Sequence, residues 1–400
     1  MRRVLLISLL ALPAASSLSG CECGDAGEEP VIIEVPSPDP TPIPVYNRGS
    51  WLDMDLDADG RVWLAYKDHD STSLNIARGD GDPAVFTHWK VDGQGVVVGG
   101  LLTGAFDGGN YATLTVDGTG TAHAAHYDSA NNGDNGDGRL MYATGSDETW
   151  TTEVVEGFDV GRFASIGLVG GAPIIAYYDK TNGDLRVARR TGADAWEIER
   201  IDQGDIVEAG DDDDSANDTP PPPAGPADVG SYADLLVTSD GTVHIAYYDA
   251  DNGDLKIASG GFGDWDISVA AAEGDVGQWP SLYEEGGTLY VAFQDVGNYD
   301  LLFGTVSNGV VTGLEVVDDG DFRGADSSLT FVGGEPAIMY QDAVNNDAIL
   351  ARRDASGWTI TQHMTDGALG FHNNLAAGSD GRLNWAGFNH SSHDIEFQRF

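Results

Sequence analysis

The stretch "AYYDADNGDLKIASG", Ala246 to Gly260, decides the fold, because nearly the same residues, "AYYDKTNGDLRVARR", already occur from Ala176 to Arg190. In both copies an alternating run leads into an Asn-Gly turn and a second alternating run follows, which predicts a β-hairpin. Short runs of this kind recur between Asp-Gly and Asn-Gly turns, and no window shows sustained helical periodicity. The pattern therefore predicts an all-β protein built from repeated hairpins.

The hairpin motif occurs seven times along the chain. Its first half reads "AYKD" (65–68), "AHYD" (125–128), "AYYD" (176–179), "AYYD" (246–249), "AFQD" (292–295), "MYQD" (339–342) and "AGFN" (386–389). Where no insertion intervenes, successive copies lie 46 or 47 residues apart. A period of this length is typical of a β-propeller blade, because one small sheet buries both faces only by stacking on neighbours around an axis. The count predicts a seven-bladed β-propeller of four-stranded blades.

The last copy ends at "DIEFQRF" (394–400), which would be only the third strand of its blade. We therefore expect an N-terminal strand to close the ring, with "VIIEV" (31–35) as the candidate. The Pro-rich stretch after it (36–44) cannot donate ladder hydrogen bonds and predicts an extended edge or a stiff tether. The β-propeller itself is expected over 49–400, with loop insertions at about 94–108 and 208–229.

The charge of the chain narrows the choice of partners. It has 65 Asp and Glu against 20 Lys and Arg, a formal net charge of −45. Such a surface repels nucleic acid and attracts cations or basic partners, although it also serves solubility. Only two cysteines are present, so no disulfide framework is expected. We expect a monomer with no nucleic-acid partner.

The N-terminal segment predicts where the protein is located in the cell. Arg2 and Arg3 precede an apolar run, Val4 to Pro13, which is too short to span a bilayer but suits the core of a signal peptide. The run leads to "LSGC" (18–21), which resembles the lipobox of bacterial lipoproteins. That resemblance implies a signal peptide over 1–20, a lipid on the sulfur of Cys21, and a lipidated tether over 21–48. It implies an extracytoplasmic, lipid-anchored protein of the bacterial cell envelope, with the outer membrane or cell surface favoured over the inner membrane.

Strand direction places the seven hairpin turns, after residues 68, 128, 179, 249, 295, 342 and 389, on one face of the disc together with the junctions between blades. We call this the loop face; both insertions lie on it. Four of its turns follow the pattern D-x-x-N-x-D and pair two acids: Asp179 with Asp184, Asp249 with Asp254, Asp295 with Asp300, and Asp342 with Asp347. Turn formation by Asp and Asn explains the pattern. Calcium held between the facing carboxylates is the alternative, and calcium is the one cofactor considered.

A second pattern opens the innermost strand of every blade. A glycine precedes an aromatic or polar residue by two positions: Gly49, Gly109, Gly161, Gly230, Gly277, Gly324 and Gly370. Two positions further on, polar residues are expected to ring the axial channel: Asp53, Thr113, Ser165, Asp234, Ser281, Ser328 and Asn374. They either line a water-filled tunnel or bind a ligand or metal at its mouth.

The blade pattern resembles that of BNR or sialidase-like propellers, whose Asp-box is matched only in degenerate form by "GSDETW" (145–150) and "DASGW" (354–358). The resemblance implies a propeller fold and raises glycan processing as an activity. Sialidases hold a carboxylate with several arginines, and Arg48, Arg162 and Arg323 fall at three blade junctions. Ion pairs with neighbouring acids are the other explanation for these arginines. The Arg-Ile-Pro motif of the family is absent.

Other catalytic signatures fail: the chain has no G-x-S-x-G, no H-E-x-x-H, no P-loop and no dinucleotide fingerprint. We therefore interpret it as an envelope-anchored, non-catalytic scaffold that binds a protein or a glycan through its acidic loop face. A sialidase-like glycan-processing enzyme and a calcium-stabilised structural module are the alternatives.

The lipobox interpretation predicts the behaviour of a single substitution. Cys21→Ser should move the protein from the detergent phase to the aqueous phase in detergent partitioning, because the acyl chains on the sulfur would supply the anchor. Cys23→Ser is the matched control and should leave the partitioning unchanged. A Cys21→Ser variant that still partitions with detergent contradicts the interpretation.

Overall fold

The computed structural model describes residues 47–82, 84–92, 97–98, 101–102, 107–129, 138–204 and 227–400. These residues form seven antiparallel sheets of three or four strands and one two-stranded hairpin. The strands of each larger sheet follow one another along the chain, so each of the seven is one blade of a ring. The predicted all-β, seven-bladed β-propeller is confirmed. In this part of the chain we find no helix with the length and apolarity that a membrane crossing requires.

The first four blades have these strands. Blade 1 contains β1 (Arg48–Leu56), β2 (Val62–Asp68), β3 (Ser73–Asp80) and β4 (Val85–Lys90). A short hairpin of β5 (Val97–Val98) and β6 (Leu101–Leu102) follows it. Blade 2 contains β7 (Asn110–Val116), β8 (Ala122–Asp128), β9 (Arg139–Ser146) and β10 (Thr149–Glu156). Blade 3 contains β11 (Val160–Val169), β12 (Ala172–Asp179), β13 (Asp184–Gly192) and β14 (Ala195–Asp202). Blade 4 contains β15 (Val229–Val237), β16 (Val243–Asp249), β17 (Asp254–Gly261) and β18 (Asp264–Ala271).

The last three blades complete the ring. Blade 5 contains β19 (Val276–Glu285), β20 (Thr288–Asp295), β21 (Asp300–Ser307) and β22 (Val310–Asp318). Blade 6 contains β23 (Ala325–Val332), β24 (Glu335–Asp342), β25 (Asp347–Asp354) and β26 (Gly357–Met364). Blade 7 contains β27 (Phe371–Ala377), β28 (Leu383–Asn389) and β29 (Asp394–Arg399).

Blade 7 has three strands among the described residues, as the end of the seventh repeat predicts. The candidate for its fourth strand, 31–35, lies outside the described residues, as does the rest of the segment before 47. The ring closes where blade 1 packs on blade 7. Leu52 and Met54 of β1 share a hydrophobic cluster with Ala386 of β28, and Ile395 and Phe397 of β29 pack against it.

The hydrophobic core lies between the blades. Each cluster joins two neighbours, as where Ile257 of blade 4 meets Leu282 and Phe293 of blade 5. The second strand of each blade is buried on both sides, and six blades carry an alanine without solvent exposure at one equivalent position there: Ala65, Ala125, Ala176, Ala246, Ala292 and Ala386. Small side chains at this position let adjacent sheets approach closely.

Every innermost strand carries an irregularity in register that has the form of a β-bulge. In blade 4, Ser231 pairs with Tyr248 but Asp234 pairs with Ala246, so β15 has one extra residue in this interval, and a second irregularity lies between Val229 and Ser231. Tyr232 lies in this bulge with φ 56°, and its equivalents also adopt left-handed backbone conformations: Trp51, Tyr111, Phe163, Trp279, Asp326 and His372. Such conformations are uncommon for residues with a side chain. The bulge directs this residue, and the one two positions later, toward the axis.

The glycine before each bulge allows two blades to approach. At Gly277, φ is +111°, and a Cβ would lie 2.6 Å from the Cα of Leu255 and 2.8 Å from its backbone nitrogen. No relaxation of a flexible side chain relieves that overlap, because the clashing atoms belong to the backbone of the preceding blade. Glycine is therefore required both by conformation and by space.

The hairpin turns and the blade junctions share the loop face, as strand direction predicts. Their backbones are joined directly, since the N–H after each second strand donates to the junction that precedes the blade. Examples are Lys180 N to Asp159 O (3.2 Å), Ala250 N to Asp228 O (2.8 Å) and His390 N to Ala368 O (2.8 Å). The loop face is thus a connected rim.

Gly277→Ala should lower the free energy of unfolding by about 3 kcal/mol, because it combines an unfavourable φ with overlap against backbone atoms. Gly263→Ala is the control: its φ is +80°, but no atom lies within 4 Å of its Cβ position. That variant should lose only about 1 kcal/mol. Denaturant unfolding measures both, and equal losses would contradict the importance of the close approach.

Candidate functional site

A cavity of about 200 Å³ lies on the propeller axis and is lined by the first strands of all seven blades. Each of these strands starts at the loop face and runs inward, so two layers of side chains surround the axis. The bulge residues form the layer nearer the loop face, and the residues two positions later form the deeper one. The two layers have different chemistry.

The outer layer is an aromatic collar, which we define as Trp51, Tyr111, Phe163, Tyr232, Trp279 and His372. Neighbouring rings contact one another around the axis. Their centroids are separated by 4.1 Å (Trp51–Tyr111), 4.8 Å (Tyr111–Phe163), 4.7 Å (Phe163–Tyr232), 4.5 Å (Tyr232–Trp279) and 5.0 Å (His372–Trp51). Asp326 of blade 6 occupies the seventh position, between Trp279 and His372 in ring order. The collar is therefore continuous except for one carboxylate.

Sequence reasoning assigned the collar no functional role. The signal was present, because five of the seven blades have an aromatic residue two positions after the glycine that recurs at the start of each innermost strand. That pattern indicates where a strand starts, but it does not indicate that side chains of different blades meet at the axis. Only the ring geometry brings residues from seven separate blades to one point.

The deeper layer contains polar residues that we expected around the channel: Asp53, Thr113, Ser165, Asp234 and Asn374 line the cavity, whereas Ser281 and Ser328, at the equivalent positions of blades 5 and 6, are not among its lining residues. We call all seven residues the polar belt. Each member but the last accepts a hydrogen bond from a backbone N–H of the next blade. The donors and distances to the acceptors are Leu114 N to Asp53 (2.6 Å), Ile166 N to Thr113 (3.2 Å), Leu235 N to Ser165 (2.9 Å), Leu282 N to Asp234 (2.6 Å), Leu329 N to Ser281 (2.9 Å) and Leu375 N to Ser328 (2.9 Å). Asn374 closes the circle by donating to Leu52 O at 2.8 Å.

The polar belt thus joins each blade to the next around the whole ring. Its residues satisfy backbone groups that would otherwise be buried without a partner. Ligand binding by these seven residues stays a prediction. The structure places them below the collar and engages each one between two blades.

Burial changes the protonation of the axial groups. It raises the pKa of Asp53 to about 7, of Asp326 to about 7, and of Asp234 to about 6, because a carboxylate loses hydration in the channel. Burial also lowers the pKa of His372 to about 4, and His390 and His69 nearby add to that shift. At pH 8 the cavity therefore has ionised aspartates and a neutral histidine.

In the hairpin turns, the first aspartate of each pair accepts a hydrogen bond from the side-chain amide of the Asn three residues later. The Nδ2 to Oδ2 distances are 2.7 Å for Asn182–Asp179, 3.0 Å for Asn252–Asp249, 2.9 Å for Asn298–Asp295 and 2.8 Å for Asn345–Asp342. The second aspartates face them across the strand pair, and burial, with a further contribution from the facing carboxylate, raises the pKa of each: Asp184, Asp254, Asp300 and Asp347.

Turn formation therefore accounts for one acid of each pair. Across the described ranges, no group of three or more His, Cys, Asp or Glu side chains is arranged to hold a metal ion. Calcium binding by the facing pairs stays a proposal, which a comparison of melting temperatures with and without millimolar calcium tests.

The three junction arginines form ion pairs with nearby acids. The pairs are Arg48 with Asp394 (2.8 Å), Arg162 with Asp159 (3.3 Å), and Arg323 with Asp318 (3.2 Å) and Asp342 (2.5 Å). Arg48 and Arg162 lie in the first strands of blades 1 and 3, and Arg323 lies in the junction between blades 5 and 6. None of the three is among the described residues that line the axial cavity. The structure does not bring the three together there.

The loop face also exposes aromatic residues. Tyr299 lies in the hairpin turn of blade 5 and Phe322 in the next junction, with 42% and 46% of their surfaces exposed and their ring centroids 4.2 Å apart. Val344, in the turn of blade 6, is 55% exposed. Tyr299 and Phe322 also have positive φ, 65° and 55°. Nothing in the sequence pattern marks these residues as functional.

No protein-family model matches this chain, and no curated protein matches it. Solved structures are similar to it. A protein of unknown function from Dyadobacter fermentans is 14% identical with a TM-score of 0.50, covering 72% of this chain and 91% of that one. The Aleuria aurantia lectin in complex with Fucα1-6GlcNAc is 14% identical with a TM-score of 0.44, covering 80% and 96%. The intramolecular trans-sialidase from Ruminococcus gnavus in complex with oseltamivir carboxylate is 10% identical with a TM-score of 0.46, covering 87% and 93%. At these identities the likeness concerns the fold alone.

The raised pKa of Asp53 predicts a pH dependence of stability. The folded chain holds a proton there up to about pH 7, whereas the unfolded chain releases it near pH 4, so this contribution is present at low pH and is lost as the pH rises through 7. The melting temperature should fall from pH 5 to pH 8, and it should fall less in Asp53→Asn, by about 2 °C or more.

Asp240→Asn is the control for this measurement. Hydrogen bonds to the Thr242 backbone and neighbouring hydroxyls lower the pKa of Asp240 to about 2, so this exposed group does not titrate between pH 5 and 8. The melting temperature of this control should fall between pH 5 and pH 8 by as much as that of the native protein. Identical slopes for Asp53→Asn and the native protein would show that Asp53 does not titrate in this range.

Proposed function

We propose that this protein is a non-catalytic binding scaffold that captures a protein or a glycan through its loop face. The observation that carries the proposal is the exposed aromatic pair of that face, Tyr299 and Phe322, with Val344 in the adjacent turn. Contiguous exposed apolar groups with a polar surround are typical of recognition surfaces.

The backbone supports this interpretation. Both aromatic residues adopt left-handed conformations, and a hydrogen bond from Arg323 N to Tyr299 O (2.8 Å) links the turn to the junction. Left-handed backbone costs free energy in the isolated chain, and rings that stay exposed gain none of the stabilisation that burial gives. A ligand that covers the rings would supply that stabilisation. The arrangement therefore favours binding of a partner.

Charge narrows the class of ligand. The exposed rings lie among acids, with Asp319 and Asp321 directly before Phe322, on a chain of net charge −45. Such a rim favours a basic protein surface or an uncharged glycan and disfavours nucleic acid. Aromatic rings can anchor either partner, since they bury a large area at little conformational cost.

The sialidase-like alternative is not favoured. It needs several arginines converging on one carboxylate, whereas Arg48, Arg162 and Arg323 lie at three separate blade junctions and pair with neighbouring acids. Ion pairing explains them without a substrate.

We further propose that the scaffold is displayed on the bacterial cell envelope through a lipid on Cys21. This part of the proposal rests on the resemblance of "LSGC" to a lipobox, and Cys21 lies outside the described residues. The partitioning of Cys21→Ser, described above, tests it.

The proposed binding face is tested by removing its aromatic pair. The purified chain is applied to a glycan array and, separately, to an extract of envelope proteins, and any retained ligand is then titrated against variants. The double variant Tyr299→Ser/Phe322→Ser should weaken binding by about tenfold or more, because anchors of this kind dominate interface energies.

Val310→Ser is the matched control. Val310 is 46% exposed, lies at the start of β22 on the opposite face of the same blade, and should leave the affinity unchanged. A ligand that binds the double variant as tightly as the native chain refutes the proposal. Retention of a glycan or of a protein decides which class the face recognises.

A further inference from the structure

Two kinds of group in the lining of the axial cavity, aromatic rings and carboxylates, attract positive charge. The aromatic faces of the collar carry negative electrostatic potential. Three aspartates also line the cavity, Asp53, Asp234 and Asp326, whereas no lysine or arginine is among its described lining residues. The channel therefore combines aromatic and anionic walls without an internal cation to neutralise them.

Asp326 has the decisive position. It lies in the collar itself, on the one blade that lacks a ring, and its carboxylate accepts a hydrogen bond from the backbone N–H of His372. Asp53 and Asp234 lie one layer deeper and are engaged with the backbone of the next blade. Asp326 is thus the carboxylate that a ligand entering from the loop face meets together with the rings.

We propose that this cavity binds an organic cation, an alkylammonium or guanidinium group, held against the collar rings with Asp326 as its counter-charge. Aromatic walls around a cation are an established mode of recognising such groups, and desolvation strengthens it. The site is separate from the exposed pair Tyr299 and Phe322, because it lies on the axis and they lie on the rim.

The alternatives fit less well. An anion would meet three carboxylates. A neutral sugar needs donors and acceptors directed at its hydroxyls, but the polar belt below the collar is already engaged between blades. The cavity, about 200 Å³, is also smaller than the roughly 300–1,000 Å³ of sites for larger ligands. A small cationic group is the ligand that matches both the size and the charge.

The cationic group that binds the cavity can come from two sources. The cation can be a free small molecule, or it can be the tip of a lysine or arginine side chain that a bound protein inserts along the axis. Both would make the same contacts with the collar and Asp326. The choice of probes separates them.

Isothermal titration of the full chain at pH 8, above the pKa of about 7 to which burial raises Asp326, tests the site with three probes. Choline is the small cation, 3,3-dimethyl-1-butanol is its uncharged isostere, and a capped Gly-Arg-Gly peptide presents the side chain. Choline should bind at least about tenfold more tightly than the isostere. A peptide that binds more tightly than choline indicates a protein source, and the reverse order indicates a free cation.

Variants locate the site. Asp326→Asn keeps an acceptor for the His372 N–H and should weaken choline binding by about tenfold, whereas Asp264→Asn removes the same charge from an exposed position in blade 4 and should not. Trp279→Leu keeps apolar bulk but removes a ring, and it should weaken choline binding without affecting the isostere. Melting temperatures show whether each variant folds. If Asp326→Asn does not fold, the comparison of Trp279→Leu with the native chain tests the site.

Three outcomes would overturn the inference: no choline or peptide binding at millimolar concentration, equal binding of the isostere, or equal losses in the Asp326 and Asp264 variants. The double variant Tyr299→Ser/Phe322→Ser should retain choline binding. Failure of the loop-face proposal and failure of the axial site are thereby distinguishable.

Discussion

The hydrogen bond that each blade accepts from the next one, around the axis, is the interaction on which the rest of the structure depends. Six polar side chains accept these bonds in turn, from Asp53 to Ser328, and Asn374 closes the circle by donating to the carbonyl of Leu52. The bonds satisfy buried backbone groups that no strand partner reaches. They also join neighbouring innermost strands around the axial cavity.

The bulge of each innermost strand positions both the aromatic collar and the polar belt. An extra residue in each innermost strand adopts a left-handed conformation and faces the axis, and the polar residue two positions later then reaches the next blade. The preceding glycine permits the close approach, as at Gly277. The geometry that stabilises the ring therefore also concentrates aromatic side chains at its centre.

Choice of acceptor gives this cavity its charge. Four members of the belt are Ser or Thr, which make the same contact without an ionisable group, but Asp53 and Asp234 are carboxylates whose pKa burial raises. The stability of the fold favours Ser or Thr over Asp at these positions, because burying a carboxylate costs free energy. Once ionised, above about pH 7, these two aspartates and Asp326 in the collar make the cavity anionic. A similar division holds on the loop face, where the Asp–Asn contacts shape the turns and exposed rings are left between them.

What the sequence by itself determined is the repeated and local part of the structure. Seven hairpin motifs at a regular spacing predict seven blades, because each blade is a short contiguous segment, and the Asp–Asn turns follow from contacts only three residues apart. Polar residues at the position of Asp53 were expected around the channel for the same reason. The collar, the partners of the polar belt and the exposed pair of Tyr299 and Phe322 were decided by the tertiary structure. Their members come from different blades or loops, and one bulged residue shifts the alternation that decides which side chain faces the axis, so they meet only when the ring has closed.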